Sequence, residues 1–413
     1  MSEIVTTTLS CGMPLLTERI SGVRSAGLCW LLPAGAVHDP SDRLGLAAIH
    51  REMLLRGAGD LDSRAHADAM DRVGAGRSTG VSTFHLSLAS SFVGSHTAEV
   101  LPLLADMVTR PRLEPDALAP AASLAVQEIQ SLADDPQRRA VLAARARHYP
   151  SAIGRSGLGT QRGIESITQS DVVQGWAQRA RPQGSILTLA GDVDPKAVAD
   201  QLNDILADWK GDAPNFDEGT PGTRGYDHVN DDANQVQIIL IHDAPPEPDP
   251  NSTLERVLIS VLSGGMASRL FTEVREKRGL CYTVSASYAA ERTFGRVLAY
   301  VGTTPERAQE SLDVLVAELN RIGTPEGAVT QGELDRALIG LKSSLVFSGE
   351  STGARATSLA RDQFRLGRGR SLAELADELD RVTLDRVNDY ARTRTMGEVT
   401  IQTLGPSALT PPV

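Results

Sequence analysis

Residues 263–282 contain a charged and a phenolic side chain that could act together on a carbonyl group. They read S-G-G-M-A-S-R-L-F-T-E-V-R-E-K-R-G-L-C-Y and include Arg275 and Tyr282. A guanidinium keeps its charge and a phenol donates a hydrogen bond, so the pair could bind a carbonyl oxygen and stabilise the oxyanion that forms on it. A plainer interpretation makes Arg275 a surface cation near a helix end and Tyr282 a half-buried strand aromatic.

A second stretch, residues 45–57, has the pattern of a helix that could carry metal or acid–base chemistry. It follows Asp39-Pro40 and reads G-L-A-A-I-H-R-E-M-L-L-R-G. Its apolar residues recur at helical spacing, and Gly57 is a typical helix stop. His50 and Glu52 are only two positions apart, so they point in different directions and are poorly placed to share one metal.

The frame of this helix resembles that of the insulinase/pitrilysin-like metallopeptidases. In that family the helix carries H-x-x-E-H, whose two histidines bind zinc while the glutamate activates water. The resemblance places Ala48 at the first histidine, Arg51 at the glutamate and Glu52 at the second histidine. The family's third ligand is a glutamate on a later helix, and it matches Glu128, 76 residues after Glu52.

These matched positions predict a degenerate site that holds no metal. Only one of three ligand positions is retained, whereas a catalytic zinc takes three protein ligands. Arg51 would also put a fixed positive charge where a base must accept a proton. We therefore expect Arg51 to compensate the charges of Glu52 and Glu128, which would otherwise repel each other. An ordinary solvated helix residue is the alternative interpretation of Glu128.

The stretch at 263–282 matches the same family. It resembles the segment Gly-Gly-Gly-Met-x-Ser-Arg-Leu-Phe … Arg-Glu-x-x-Gly-Leu-x-Tyr, with Ser263 in place of the first glycine. The resemblance implies that Arg275 and Tyr282 reach an active site from the second half of a clamshell. Within the processing-peptidase-like branch, the chain lacks the long glycine-rich loop of the α-type subunits. It resembles instead the zinc-less, Arg/Tyr-bearing subunit of small bacterial heterodimeric peptidases.

The hydrophobic pattern along the chain predicts an α+β protein with two homologous domains. We expect an N-terminal domain with the degenerate zinc motif over 1–210, a Gly-, Pro- and Asp-rich linker over 211–234, and a C-terminal domain with the Arg/Tyr pair over 235–413. Each domain is predicted to be a mostly antiparallel sheet with helices packed on one face. An internal repeat relates them, since S-F-V-G at 91–94 and A-Y-V-G at 299–302 lie 208 residues apart and similar elements follow both.

Around Arg275 and Tyr282 the pattern predicts a helix followed by a strand. Met266, Leu270 and Val274 would form the apolar face of a helix over 266–278. Alternating residues over 281–290 are typical of a strand, as are those over 295–302. Arg275 is therefore expected near a helix end and Tyr282 at the start of a strand.

Composition excludes several classes of protein. The net charge of −11, from 41 basic and 52 acidic residues, argues against nucleic-acid binding. Cys11, Cys29 and Cys281 are too few and too widely spaced for a disulfide framework or a thiolate metal site, which favours a reducing compartment. No stretch approaches eighteen uninterrupted apolar residues, and the N-terminus lacks a targeting pattern. We expect a cytoplasmic protein that does not associate with membranes.

Two classes of function are compatible with these features. In the first, the chain is expected to be inactive alone and to complement a homologous subunit that bears H-x-x-E-H and zinc, so that a heterodimer hydrolyses peptides; a homodimer is also compatible. In the second, the chain is a non-catalytic scaffold or binding protein of the same fold. A metal enzyme with altered ligands is the remaining alternative.

Overall fold

The computed structural model describes residues 3–412, which fold as two compact units. The first unit consists of residues 3–131, 155–220 and 348–371. The second unit consists of residues 132–154, 221–347 and 372–412. Both units combine one large sheet with helices, and the predicted α+β class with two related domains is confirmed.

The strands fall into one large sheet in each unit and a small hairpin in the first. In chain order they are β1 Ile4–Thr8, β2 Pro14–Arg19, β3 Ser25–Leu32, β4 Gly57–Ala58, β5 Leu61–Asp62, β6 Gly76–Val81, β7 Leu86–Val93, β8 Ile186–Gly191, β9 Gly225–Asn230, β10 Val236–Ala244, β11 Cys281–Ala290, β12 Gly295–Thr303 and β13 Thr400–Gly405.

Both units also contain α-helices, which alternate with strands or groups of strands along the chain. In chain order they are α1 Leu46–Met53, α2 Ser63–Arg72, α3 Thr97–Thr109, α4 Pro115–Gln130, α5 Pro136–His148, α6 Gln161–Ser166, α7 Gln169–Arg179, α8 Pro195–Ile205, α9 Ser252–Ser263, α10 Ala308–Arg321, α11 Gln331–Gly349, α12 Thr352–Leu366, α13 Leu372–Asp380 and α14 Leu384–Thr393. No helix within the described residues is both long and apolar enough to cross a membrane.

Apart from β1, which has no counterpart in the second sheet, the two large sheets have equivalent strand orders, as an internal repeat requires. The first runs β1-β2-β8-β3-β7-β6, and the second, taken from its opposite edge, runs β9-β13-β10-β12-β11. In both sheets one pair is parallel, β2 with β8 and β9 with β13, while the other pairs are antiparallel. Strand β6 of the first unit therefore corresponds to β11 of the second, and both are edge strands.

One helix in each unit comes from the opposite half of the chain. Helix α5 packs Ala140 and Ala144 against Ile239 and Ile241 of the second sheet. Helix α12 packs on the first sheet, where Ala356, Leu359 and Ala360 join a cluster that contains Leu16, Cys29 and Leu31. The two units therefore differ from the predicted domains, which are contiguous and separated by a linker at 211–234. The difference arises because each sheet has a second apolar face, and a helix from the other half of the chain covers that face.

The predicted linker at 211–234 contains a strand. Residues 225–230 form β9, which pairs in parallel with β13 at the edge of the second sheet. Tyr226 and Val229 pack against apolar clusters of that unit. The Gly-, Pro- and Asp-rich composition of the segment conceals this strand, because few of its side chains supply apolar surface.

Candidate functional site

Helix α1 begins at a buried charged pair. The Asp39 carboxylate accepts hydrogen bonds from the amides of Gly45 at 2.9 Å and Ala47 at 3.0 Å, which satisfies donors that a helix start leaves open. Arg179 donates to the same carboxylate at 2.9 Å. Gly45 has a φ of 117°, a conformation that favours glycine, and a Cβ there would lie 2.6 Å from an atom of Ile164. These contacts fix where the helix begins and how it is oriented.

Arg51 occupies the centre of the degenerate site. Its Nη2 atom lies 2.9 Å from Oε1 of Glu52 and 2.7 Å from Oε2 of Glu128 on α4. Burial alone would lower the pKa of Arg51, but the hydrogen bonds and charges of Glu128 and Glu52 raise it above its ordinary value. The ion pairs expected of Arg51 are present, so one guanidinium lies between the two carboxylates.

The residues at this site do not fit a zinc ion. Ala48 is buried and has no donor atom, and the guanidinium of Arg51 already takes an oxygen from each of the two carboxylates. Across residues 3–412, no group of three or more His, Cys, Asp or Glu side chains has an arrangement that could hold a metal ion. These side chains therefore support no metal-dependent step at this site.

His50 belongs to the core. Its ring is fully buried, its Nε2 atom lies 2.9 Å from the carbonyl oxygen of Val172, and the ring packs edge-on against Trp176 at 5.2 Å between centroids. Burial, assisted by the positive charge of Arg179, lowers the pKa of His50 to about 3. The side chain of His50 is directed between α1 and α7, in agreement with the expectation that it is poorly placed to share a metal with Glu52.

The segment that carries Arg275 differs from the predicted helix over 266–278. Residues Phe271–Glu276 form a π-helical turn, in which the amide of Lys277 donates to the carbonyl of Thr272, five positions earlier, at 2.9 Å. Within this segment the Arg275 guanidinium lies over the Phe271 ring, 4.8 Å from its centroid. The Phe271 ring therefore contacts the Arg275 guanidinium on one face.

Arg275 differs from Lys277 and Arg278 in its ion pairing. Glu273 accepts hydrogen bonds from Lys277 at 2.6 Å and from Arg278 at 2.8 Å. Arg275, which is exposed, forms no ion pair with a carboxylate in the part of the chain that the structure describes. Its charge is therefore available to an external group.

Tyr282 lies at an irregularity of β11. Cys281 pairs with Thr303 and Thr283 with Gly302, so Tyr282 is the extra residue of a β-bulge. A bulge reorients the side chain of its extra residue, and Tyr282 is 74% exposed. The alternative in which Tyr282 is a half-buried strand aromatic is wrong.

The structure thus brings the predicted residues together in two groups. Ala48, Arg51 and Glu52 share α1, and Glu128 contacts Arg51 from α4, all in the first unit. Arg275 and Tyr282 both belong to the second unit, on either side of Gly279. The roles assigned to all six positions stay predictions.

Sequence reasoning missed the pair that positions α1. Asp39 and Arg179 are 140 residues apart in the chain, and no periodic pattern connects them. An aspartate a few residues ahead of a helical pattern is nevertheless a capping signal, and Asp39 could have been singled out on that ground.

Comparison with known proteins extends the similarity over most of the chain. Residues 16–157 match the family described as insulinase (peptidase family M16), and residues 166–341 match the domain described as the peptidase M16 inactive domain. The chain is 26% identical to a protein of Mycobacterium bovis described as an uncharacterized zinc protease. That alignment spans 395 residues, 94% of this chain and 89% of the relative.

Solved structures share the fold over the whole length. The crystal structure of a peptidase M16 inactive domain from Pseudomonas fluorescens has a TM-score of 0.85 at 21% identity and covers 100% of both chains. A chain of complex III from Candida albicans has a TM-score of 0.82 at 16% identity, covering 98% of this chain and 96% of its own. At such identities the likeness concerns the fold alone.

Proposed function

Because the chain belongs to the insulinase family of peptidases (peptidase family M16), we propose that it is the catalytically incomplete half of a two-subunit zinc peptidase. In this proposal a homologous partner with an intact H-x-x-E-H motif supplies zinc and the general base. This chain supplies Arg275, Tyr282 and part of the peptide-binding surface. The substrates are peptides or unfolded segments, and the complex acts in the cytoplasm.

The observation that carries the proposal is the availability of Arg275. Lys277 and Arg278 are both paired with Glu273, whereas the guanidinium of Arg275 stacks on Phe271 and forms no carboxylate ion pair within residues 3–412. A cation that served only helix stability would gain most from a nearby acid, as its two neighbours do. An oriented and unneutralised guanidinium is instead suited to a carbonyl oxygen of a ligand.

Tyr282 adds a second donor of a different kind. Its bulged position exposes the phenol and leaves the hydroxyl open to a ligand, a few residues after Arg275. Two fixed donors directed at one carbonyl stabilise the charge that develops when that carbonyl is attacked. Loss of one such donor typically lowers kcat by about 10²- to 10³-fold.

The degenerate site is consistent with the proposed roles, in which the partner supplies the metal and this chain supplies other residues. Arg51 neutralises Glu52 and Glu128, so the site keeps its packing without an ion. In such a subunit the guanidinium occupies the degenerate metal site, so the subunit's contribution to the function of the complex must come from other residues. In the proposal, that contribution is the Arg275 and Tyr282 half-site.

A scaffold role is the second candidate, and the same ion pairs favour it. Replacement of the metal centre by a guanidinium and two carboxylates conserves the fold without any peptidase chemistry. The similarity to a chain of complex III from Candida albicans shows that this fold occurs within a large assembly. The two candidates differ in whether Arg275 and Tyr282 affect catalysis.

The experiment is a reconstitution. This chain and a homologue with H-x-x-E-H are purified separately, and cleavage of an internally quenched peptide is measured for each alone and for the mixture. Zinc is counted in each sample by mass spectrometry. Activity of the mixture at least about tenfold above that of the partner alone supports complementation. Equal activity of mixture and partner rejects it, and co-elution without that gain favours the scaffold.

A further inference from the structure

A small cavity lies between the turn at 264–268, which follows α9, and the first turns of α11. Its volume is about 190 Å³, and all of its lining residues belong to the second unit. At Gly264 a Cβ would come within 2.4 Å of the Ser260 carbonyl oxygen, and Gly265 has a φ of 150°, a conformation that favours glycine. The two glycines therefore let the turn pass close to α9 without filling the cavity.

The two charged residues that line the cavity differ in their pairing. The Glu333 carboxylate accepts hydrogen bonds from Arg269 at 2.7 and 2.8 Å and from the amide and hydroxyl of Thr330, both at 2.9 Å. Burial alone would raise the pKa of Glu333, but these hydrogen bonds and the charge of Arg269 lower it to about 2. The side chain of Arg336 forms no ion pair or hydrogen bond with any residue over 3–412. The uncompensated charge of the cavity is thus that of a guanidinium.

Two hydroxyl groups line the same cavity. Ser268 is only 9% exposed, and its hydroxyl forms no hydrogen bond with another residue that the structure describes. The same holds, among the described residues, for the hydroxyl of Ser260 on the last turn of α9. A buried polar group without a partner is costly, so these hydroxyls favour a ligand that accepts hydrogen bonds from them.

The charge and the donors of the cavity determine which anions fit. A carboxylate carries one negative charge and two acceptor oxygens, which match one guanidinium and two hydroxyl donors. A phosphate monoester carries about 1.5 to 2 negative charges at pH 7, which a single guanidinium does not balance. A carboxylate is therefore the anion that this cavity suits.

Size and apolar surface define the rest of the ligand. Val261 and Ala337 are buried and line the cavity, so they provide apolar contacts for methylene groups. Pockets for drug-sized ligands enclose about 300–1,000 Å³. With about 190 Å³, this cavity has room only for a group the size of a short side chain.

We propose that the cavity binds a carboxylate at the end of a short aliphatic stem, with Arg336 as the residue that determines specificity and Ser268 as a second donor. The glutamate side chain of a peptide has this chemistry, and so does a free dicarboxylate such as glutarate. The inference rests on the proposed function in one respect, since a bound glutamate would belong to the peptide whose carbonyl Arg275 contacts.

Binding to the full chain alone tests the charge requirement. The probes are glutarate, its neutral diamide, and two acetylated and amidated peptides of about eight residues that differ only in a central Glu or Gln. Saturation-transfer difference NMR gives the Kd of each. An acid should bind at least about tenfold more tightly than its amide counterpart, because its hydrogen bonds are charge-assisted.

The two pairs of probes distinguish the source of the carboxylate. A preference for glutarate over its diamide shows that the carboxylate and its stem are sufficient. A preference confined to the peptide pair identifies a peptide residue as the ligand. Equal binding of acid and amide in both pairs would overturn the inference.

Variants assign the preference to residues. Arg336→Gln should abolish the preference for the acid, whereas Arg292→Gln, which changes an exposed arginine of the same unit outside the cavity, should leave it intact. Ser268→Ala should weaken binding of the acid about 2- to 10-fold. It should leave the urea midpoint unchanged, because the hydroxyl has no partner to lose among the described residues. A preference that survives in Arg336→Gln would contradict the assignment.

Kinetics of the reconstituted complex separate this inference from the proposed function. Arg336→Gln should raise KM for the Glu peptide about tenfold and leave kcat unchanged, since Arg336 serves binding alone. Acid-specific binding by this chain without a gain of activity in the mixture would retain the cavity and reject the proposed function. A gain of activity that depends on Arg275, with no preference for the acid, would retain the function and reject the cavity.

Discussion

Arg51 and Glu128 lie 77 positions apart in the chain and form a 2.7 Å ion pair that joins helix α1 to helix α4. In the predicted match to the zinc motif, these two residues stand at the positions of the water-activating glutamate and of a metal-bound carboxylate. The pair is an electrostatic bond within the protein that links two helices. Its contribution to stability and the ancestry of the site can both be tested.

Replacement of Arg51 by methionine is expected to destabilise the fold. Arg51→Met leaves Glu52 and Glu128 near each other without this counter-charge, in side chains only 20% and 31% exposed. We expect a loss of about 1–3 kcal/mol in the free energy of unfolding, measured with urea. Arg110→Met is the matched control, because the Arg110–Asp106 pair is more exposed and should contribute at most about 0.5 kcal/mol. Similar losses in both variants would contradict a special role for Arg51.

Restoration of the metal motif is expected to create a zinc site. The triple variant Ala48→His, Arg51→Glu and Glu52→His supplies two ligands and a base on α1, beside Glu128. We expect about one zinc per purified chain by mass spectrometry. Addition of Glu128→Gln to this variant should weaken zinc binding at least about tenfold, since one of the three ligands is changed. A triple variant that takes up no zinc would show that the frame of α1 is aligned incorrectly.

Asp39 is expected to be among the residues most sensitive to truncation. Asp39→Ala leaves the buried Arg179 without its counter-charge and removes the acceptor for the Gly45 and Ala47 amides. The expected loss is about 3–5 kcal/mol in urea unfolding. Asp42→Ala, in a carboxylate that is 69% exposed, serves as the neighbouring control and should change stability little. Equal tolerance of both substitutions would show that Asp39 does not position α1.

Stability is expected to fall in acid through buried histidines. Burial lowers the pKa of His50 to about 3 and that of His85 to about 3, whereas an unfolded chain binds these protons near pH 6.5. The unfolded state therefore gains protons first, and stability is lost as the pH falls from about 6.5 towards 3. Each such group contributes up to about 1.4 kcal/mol per pH unit. Urea midpoints at about pH 7.5, 6 and 5 measure the slope, which His50→Gln should reduce; an unchanged slope would contradict the assignment.

Arg275 and Tyr282 are expected to affect turnover only in the reconstituted complex. Arg275→Ala and Tyr282→Phe should each lower kcat by about 10²- to 10³-fold while the two subunits still co-elute. Arg278→Ala is the matched control, since Arg278 belongs to the same segment and pairs with Glu273. Unchanged turnover in Arg275→Ala and Tyr282→Phe would remove both residues from the active site even if the subunits assemble.

The sequence predicts the second-half hairpin closely. Alternation predicts strands at 281–290 and 295–302, and the structure has Cys281–Ala290 and Gly295–Thr303. Alternation of side chains is a local property that each strand expresses alone. The Arg51 ion pairs are also predictable, because two nearby carboxylates require a counter-charge and Arg51 is adjacent to one of them.

Features that depend on distant partners are not predictable in this way. The bulge at Tyr282 is set by the register of β12, and the π-helical turn at Phe271–Glu276 has an apolar pattern that a regular helix would share. The position of the His50 ring depends on its contacts with Val172 and Trp176, which lie more than 100 residues further along the chain. Likewise, an amphipathic helix reveals that one face is buried, but not which sheet will bury it.

Helices α5 and α12 have a consequence for the synthesis of the protein on the ribosome. The last strand of the first sheet, β8, ends at Gly191. The helix that covers the second face of this sheet, α12, ends only at Leu366. Glu18 of the same sheet forms its ion pair with Arg355 of that helix, 337 positions later. At about 5–20 residues per second, translation leaves that apolar face bare for on the order of ten seconds or longer. The first half of the nascent chain is therefore expected to bind chaperones. In a chain interrupted between its two halves, each sheet would lack the helix that the other half supplies to cover it.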